Sequence, residues 1–265
     1  MQRLGQHFLK NTDAIKKIIA TLDVQPGEII IEIGPGKGAL TLPLVENSAS
    51  KIIAIEKDEI LADELNKKIK EQGLENLEII KGDALKILPD LIHNSQFIIP
   101  NSNYKIVGNI PYYITGKLLR TISDLKNKPK NCVLMVQKEV AERISSVPPY
   151  NNLLAAATSI WADVKIILKL KATEFDPPPE VDSAVIQLVP NKKILSEKEL
   201  TDFYKLIHVI FKQPRKTLVN NIKDGLGLSR EEIEKLLNSI NLPLNSRPQD
   251  ISVENILELA KKISL

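Results

Sequence analysis

Along the first two thirds of the chain, short runs of consecutive apolar residues alternate with longer stretches whose apolar positions recur at helical spacing. The runs predict strands: IIIEI at 29–33, KIIAIE ending in Glu56, LEIIKGD ending in Asp83, YKIVGN ending in Asn109 and CVLMVQ ending near Gln137. Ahead of them, a helix capped by Thr12 or Asp13 and running to about Leu22 carries Ile15, Ile18 and Ile19 on one face. Further helices start near Ala39, cover residues 58–72 and span about 153–161. Strands alternating with helices predict a parallel sheet covered on both faces, with ligands at the carboxyl ends of its strands. Every predicted strand in this series ends in polar residues, so Glu56, Asp83 and Asn109 are expected to converge.

The rhythm then changes. DVKIILKL and SAVIQLV have no helix between them and predict an adjacent, hairpin-like pair joined by KATEFDPPPEVD, an ending unlike that of a nicotinamide-binding Rossmann domain. Past Pro190 no strand pattern remains, and residues 196–211, 215–223, 229–240 and 252–263 predict four short helices, with breaks at Asp224-Gly225 and around Leu242-Pro243. The expected organisation is an α/β domain over 1–190 and a small all-α domain over 191–265.

At the end of the first apolar run, Gly34, Gly36 and Gly38 alternate in GPGKG before the second apolar pattern begins. Such a turn reaches backbone angles closed to other residues and lets a ligand approach the main chain, and the helix behind it presents free N–H groups. The spacing departs from the GxGxxG dinucleotide fingerprint. Glu56, 22 residues after Gly34, stands where a carboxylate can accept both hydroxyls of a ribose. Asp83 can accept from an adenine amino group, or cap the helix that starts at Ala84.

Composition narrows the class. With 265 residues, 43% hydrophobic and 26% charged, the chain can bury a full core. It has no apolar run near the roughly 20 residues of a membrane span. The first residues, MQRLGQHFLK, lack a signal-peptide core, so a cytoplasmic address is expected. The single Cys132 lies in an apolar run and predicts a buried, inert thiol. The net charge of +3 is carried wholly by residues 191–265, which hold 13 Lys+Arg against 10 Asp+Glu. That excess is compatible with a nucleic-acid partner, and Lys212, Arg215 and Lys216 are the candidate phosphate contacts.

The most specific motif is Asn109-Ile110-Pro111-Tyr112. An exocyclic amine on a nucleobase is a poor nucleophile because its lone pair is delocalised into the ring. The side-chain oxygen of Asn109 and the Ile110 carbonyl supply acceptors that favour the tetrahedral, reactive amine, Pro111 fixes the turn, and Tyr112 offers a face for an extruded base.

Taken with LGQHFL at 4–9, EIGPGKGALT at 32–41, GDAL at 82–85, NIPYYIT at 109–115, QKEVAERI at 137–144, FDPPPEVDSAV at 175–185 and PRKTLVNN at 214–221, this motif makes the chain resemble, over nearly its whole length, the KsgA (RsmA) family of 16S ribosomal RNA adenine N6,N6-dimethyltransferases. The resemblance implies a class I fold with a Rossmann-like seven-stranded sheet and a small C-terminal all-α domain. It implies S-adenosylmethionine (SAM) as methyl donor, no metal, and the small ribosomal subunit as partner of a monomeric enzyme without membrane attachment. It also implies that His7 and Leu9 close over SAM, that Gly34, Gly36, Glu56, Asp83 and Asn109 line its pocket, and that Phe175 stacks on the target adenine opposite Tyr112. This chain departs from the family at Asn151-Asn152, where a glycine-containing stretch is usual, and at Pro214, where arginine is common. Two other readings are a macrolide-resistance methyltransferase of 23S rRNA and a ribosome-assembly factor with vestigial catalysis. PRKTL, the FDPPPEVDS loop and the basic helical tail favour the KsgA reading over the first, and intact Glu56, Asp83, Asn109 and Tyr112 over the second.

Overall fold

The computed structural model describes residues 7–47, 51–93, 103–191, 193 and 195–263. Leu4, Gly5 and Gln6 of the N-terminal motif lie outside the described residues. In chain order the elements are β1 (Phe8–Leu9), α1 (Thr12–Leu22), β2 (Ile29–Ile33), α2 (Thr41–Asn47), β3 (Ile52–Glu56), α3 (Glu59–Gln72), β4 (Leu77–Lys81), α4 (Ala84–His93), β5 (Tyr104–Asn109), α5 (Thr115–Asp124), β6 (Cys132–Gln137), α6 (Lys138–Ile144), α7 (Leu153–Ser159), β7 (Ala162–Leu170), β8 (Phe175–Asp176), β9 (Ser183–Pro190), α8 (Glu197–Ile210), α9 (Leu218–Leu226), α10 (Arg230–Asn238) and α11 (Val253–Ile263).

Seven strands form one sheet in the order β4-β3-β2-β5-β6-β9-β7. The pairs β3–β4, β2–β3, β2–β5 and β5–β6 are parallel, and β9 runs antiparallel to β6. The expected pair of late strands is present as the neighbours β9 and β7. Chain order reverses between β2 and β5, so the turn after β2 opens at the switch point where such sheets bind ligands. Register carries the polar strand ends to one edge: Glu32 lies between Ala54 and Val107, and Glu56 pairs with Lys81. The core beneath is aliphatic, with Ile30, Ile52 and Val107 of the sheet packed with Ile18 and Leu22 of α1. Each such fully buried side chain contributes about 1.5–3 kcal/mol relative to exposure.

Gly108 is required by strand packing. A Cβ there would lie 2.4 Å from the Ile33 carbonyl oxygen and 2.9 Å from Ile110 Cδ1, so only glycine lets β5 and β2 close up beside the ligand edge.

At the opposite edge of the sheet, Glu28 is buried and binds Lys105 Nζ and Lys130 Nζ at 2.9 Å each, while accepting the Gln25 N–H. Burial alone would raise this carboxyl; the Gln25 N–H and the two ammonium groups outweigh it and hold it at about 2. Helix α1 begins one residue earlier than its expected caps: Asn11 Oδ1 accepts the Ala14 N–H at 2.9 Å.

The chain divides into two compact units, 1–142 with 163–190, and 143–162 with 191–265. This differs from a single boundary at 190, because the segment after α6 packs with the late helices. Asn151 donates from Nδ2 to the Ile251 carbonyl at 3.0 Å and from its backbone to Gln249 at 3.1 Å, and the Asn191 N–H reaches the Trp161 carbonyl at 2.9 Å. Asn152 caps α7 through Leu154 and Ala155. The departure from the family at these two asparagines is thus a structural clamp on the Tyr150 turn.

The four C-terminal helices form as expected, but Asp224-Gly225 lies inside α9 and does not break it. A Cβ on Gly225 would approach Val209 Cγ1 to 2.5 Å, so this glycine serves close packing of α9 on α8. The helix ends instead at Gly227, at φ 72°. Among the described residues no helix is long and apolar enough to cross a membrane.

Candidate functional site

A cavity opens at the carboxyl ends of β2, β3 and β5, and its lining includes His7, Leu9, Gly34, Gly36, Glu56, Asp83 and the whole of Asn109–Tyr112. The backbone builds its floor. Gly34 and Gly36 sit at φ 69° and 56°, and a Cβ on Gly36 would lie 2.7 Å from Phe8 Cε1, so the strap formed by β1 packs directly on the turn. Lys37 Nζ stands 4.6 Å from the centroid of the same ring, a cation–π contact. The strap itself is pinned by antiparallel pairing of Phe8 with Asp176 and Leu9 with Phe175.

Glu56 is 6% exposed and accepts two backbone N–H groups, Gly36 at Oε2 and Asp58 at Oε1, both at 2.9 Å. Each oxygen keeps a lone pair for a further donor. Asp83 is more open. Its Oδ1 caps α4 at the Leu85 N–H, 3.0 Å away, and its Oδ2 lies 3.1 Å from Lys57 Nζ. Burial opposes ionisation, but the Leu85 N–H and the Lys57 ammonium together hold the carboxyl below its ordinary value.

Asn109 donates from Nδ2 to the His7 carbonyl at 2.7 Å, and its Oδ1 accepts no hydrogen bond among the described residues. The Ile110 N–H is spent on the Met135 carbonyl at 3.0 Å, which ties the motif to β6. Tyr112 Oη lies 2.9 Å from Ser183 Oγ, and its ring faces that of His7 at 6.4 Å and 21°. Burial raises the phenol, moderated by the Ser183 contact.

Phe175 is a correction. It is 1% exposed, belongs to the hydrophobic core and does not line the cavity. Its backbone pairs with Leu9 where β8 meets β1, and both side chains belong to the buried core. Lys212, Arg215 and Lys216 lie in the second unit, in an exposed turn after α8 held by Asn221, whose Nδ2 donates to the Gln213, Lys216 and Thr217 carbonyls. Lys216 is paired with Asp224 at 3.1 Å.

Other residues also line the cavity, Glu32, Lys57, Tyr113 and Met135 among them, and none of these four is singled out by the sequence motifs. Glu32 had a visible signal, being the one acid among the four isoleucines of β2. It is 1% exposed and its Oε2 has no partner among the described residues. Burial pushes its carboxyl up to about 8, a rise that the adjacent Thr41 moderates and the charge of Glu56 reinforces. Tyr113, 61% exposed, stands at the rim.

A sheet with its penultimate strand reversed, a glycine turn at the switch point and a free amide oxygen beside an aromatic face define a methyltransferase of the Rossmann-like class. The protein-family model described as ribosomal RNA adenine dimethylase matches residues 1–264, and the chain belongs to that family. It is 39% identical over 252 residues to the ribosomal RNA small subunit methyltransferase A of Dehalococcoides mccartyi, covering 95% of this chain and 84% of that one. Among solved structures it is similar to a dimethyladenosine transferase from Plasmodium falciparum, with a TM-score of 0.83, 25% identity and 97% of each chain covered. The 23S rRNA methyltransferase ErmE shares the fold, with a TM-score of 0.75 at 22% identity over 97% of this chain and all of that one.

Family and fold imply SAM as the methyl donor. The residues fit such a group: the cavity presents a turn with no Cβ at Gly34 and Gly36, a buried carboxylate with spare acceptor capacity, and an orphaned buried oxygen on Glu32.

Proposed function

We propose that this enzyme transfers methyl groups from SAM to N6 of two adjacent adenines near the 3′ end of small-subunit (16S) rRNA, giving dimethyladenosines during ribosome biogenesis. The observation that carries the reading is the Asn109 amide, bound through Nδ2 and free at Oδ1, within a motif whose spacing suits a nucleobase amine. When bound, SAM supplies an electrophilic methyl group on a sulfonium.

The protein's own residues do the rest by placement. Glu56, already oriented by two N–H donors, accepts the ribose hydroxyls with its remaining lone pairs. Asp83, whose oxygens each hold one partner, has acceptor capacity left for the adenine amine of the cofactor. His7 and Leu9 of the strap close the cavity, with Gly34 and Gly36 beneath. Asn109 Oδ1 and the Ile110 carbonyl accept from the target amine, Pro111 holds the turn, and Tyr112 stacks on the extruded base. No side chain is assigned as general base; the amine attacks while neutral and the site positions and polarises it. The leaving thioether is neutral, so we assign no metal. Lys212, Arg215 and Lys216 contact rRNA phosphates from a C-terminal helical unit that we read as RNA-binding. We read the enzyme as a monomer acting in the cytoplasm, where a ribosomal substrate would be met.

The test is incubation with labelled SAM and either ribosomal subunit from a strain lacking the modification, followed by digestion and mass spectrometry. Dimethyladenosine in small-subunit RNA is expected. Label confined to the large subunit would move the substrate to 23S rRNA, and tight binding without label in either would leave an assembly factor.

A further inference from the structure

Three contacts meet at His7. Its carbonyl accepts from Asn109 Nδ2 at 2.7 Å, its Nδ1 lies 2.8 Å from the Pro177 carbonyl oxygen, and its ring lies alongside Tyr112. A carbonyl oxygen can only accept, so Nδ1 must carry a proton in this arrangement. The same logic fixes Asn109. Turned over, its amide would set Oδ1 against the His7 carbonyl, two acceptors at hydrogen-bond distance, and lose the bond. The amide is therefore held with its oxygen turned away from the strap for as long as the His7 carbonyl stays in place.

What keeps that carbonyl in place is uneven along the strap. Leu9 is paired with Phe175 and buried at 5%, Phe8 is paired with Asp176, and the Lys10 N–H binds the Glu174 carbonyl at 2.9 Å. His7 lies beyond the last paired residue, and its side-chain bond to Pro177 is what extends the anchoring by one more residue.

We propose that His7 is a positioning residue for Asn109: its imidazole latches the end of the strap to the 171–182 loop, and through its carbonyl sets the Asn109 oxygen toward the target amine. This rests on the reading of Asn109 as the amine acceptor. It assigns His7 to the substrate side of the reaction in addition to closure over the cofactor.

The latch needs a donor at one position, and asparagine offers an N–H on the atom attached to Cγ, as histidine does at Nδ1. In the full-length protein, His7→Ala and His7→Leu should lower the single-turnover methylation rate by roughly tenfold or more, the scale expected when a reacting group is misplaced. His7→Asn should recover most of that loss. SAM affinity by calorimetry, which reads the loss of closure over the cofactor, should fall by less than the single-turnover rate measured at saturating SAM in each of the three variants. Independently of activity, the ¹⁵N spectrum of the three histidines, with His7 assigned by its loss in His7→Ala, should show His7 protonated at Nδ1.

A neutral His7 protonated at Nε2 alone would overturn the latch, whatever the variants do. So would His7→Asn being as slow as His7→Leu, or SAM affinity falling in step with the rate. Asn109→Ala separates the two readings: an unchanged rate there sinks the acceptor role of Asn109, while a slow Asn109→Ala beside a slow His7→Asn sinks only the latch.

Discussion

The Gly36 N–H and the Glu56 carboxylate are joined at 2.9 Å, so one side chain both shapes the glycine turn and faces the cavity. Loss of the carboxylate should therefore cost more than its contact with the cofactor. Glu56→Ala should weaken SAM binding by roughly two orders of magnitude, about 3 kcal/mol, by removing a charge-assisted acceptor and unpairing the Gly36 and Asp58 N–H groups. Glu56→Gln, which leaves an oxygen for one of them, should lose less. Calorimetric affinities of the two variants decide this; equal losses would deny the turn-shaping role.

Glu28 stabilises the far edge of the sheet in its ionised form. Its folded value of about 2 lies below the ordinary 4.5, so its contribution is fully present above pH 4.5 and is lost as pH falls through 2. Glu28→Gln leaves the buried Lys105 short of its counter-charge and should cost about 3–5 kcal/mol at pH 7. Denaturant unfolding at pH 7 and pH 3 should show the gap between wild type and variant narrowing at the lower pH.

Glu32 acts with the opposite sign. Its folded value of about 8 lies above 4.5, so the folded state holds a proton that the unfolded chain has released, and stability drops as pH rises from about 4.5 to 8. Glu32→Gln should flatten that decline. Thermal unfolding midpoints between pH 5 and 8, measured without cofactor, check it: the variant should gain on the wild type toward pH 8.

Packing of α9 on α8 at Gly225 can be tested in the whole chain. Gly225→Ala forces a methyl to within 2.5 Å of Val209 and should cost about 1–3 kcal/mol, despite the better helix propensity of alanine. Adding Val209→Ala should return part of the loss in a double-mutant cycle, and additive losses would mean that the two positions are not coupled.

For RNA binding, the ion pairing of Lys216 separates it from its neighbours. Replacing Lys212 and Arg215 together by glutamine should reduce the salt slope of RNA binding by about 1.4–1.8. Lys216→Gln should move it by less, because its ammonium already has Asp224. Titrations at several salt concentrations would show whether the three cations differ.

The centre of the sheet was legible because β2, β3, β5 and β6 are buried on both faces and read as apolar runs, and their polar ends fall at the ligand edge by register. Glu56, Asp83 and Asn109 were found in this way. The misses come from residues whose role depends on a partner distant in sequence. Phe175 sits in a loop stretch full of prolines, and its place in the core, paired with Leu9, shows only in the fold. Gly225 looked like a helix end until Val209 stood against it. Glu28, Lys105 and Lys130 are an ordinary acid and two ordinary lysines until parallel strands bring their starts together.

The membership of residues 143–162 in the second unit has a consequence for how the chain is made. Helix α7 leaves the ribosome well before α8, the helix on which it packs, and all of β7, β8 and β9 is synthesised in the interval. The second unit cannot be expressed as one uninterrupted fragment, and a chain stopped at Pro190 would present Ala155, Ala156 and Trp161 without the late helices that complete their unit. Maturation of the helical unit therefore waits for the last stretch of translation, even though its first helix is made near the midpoint.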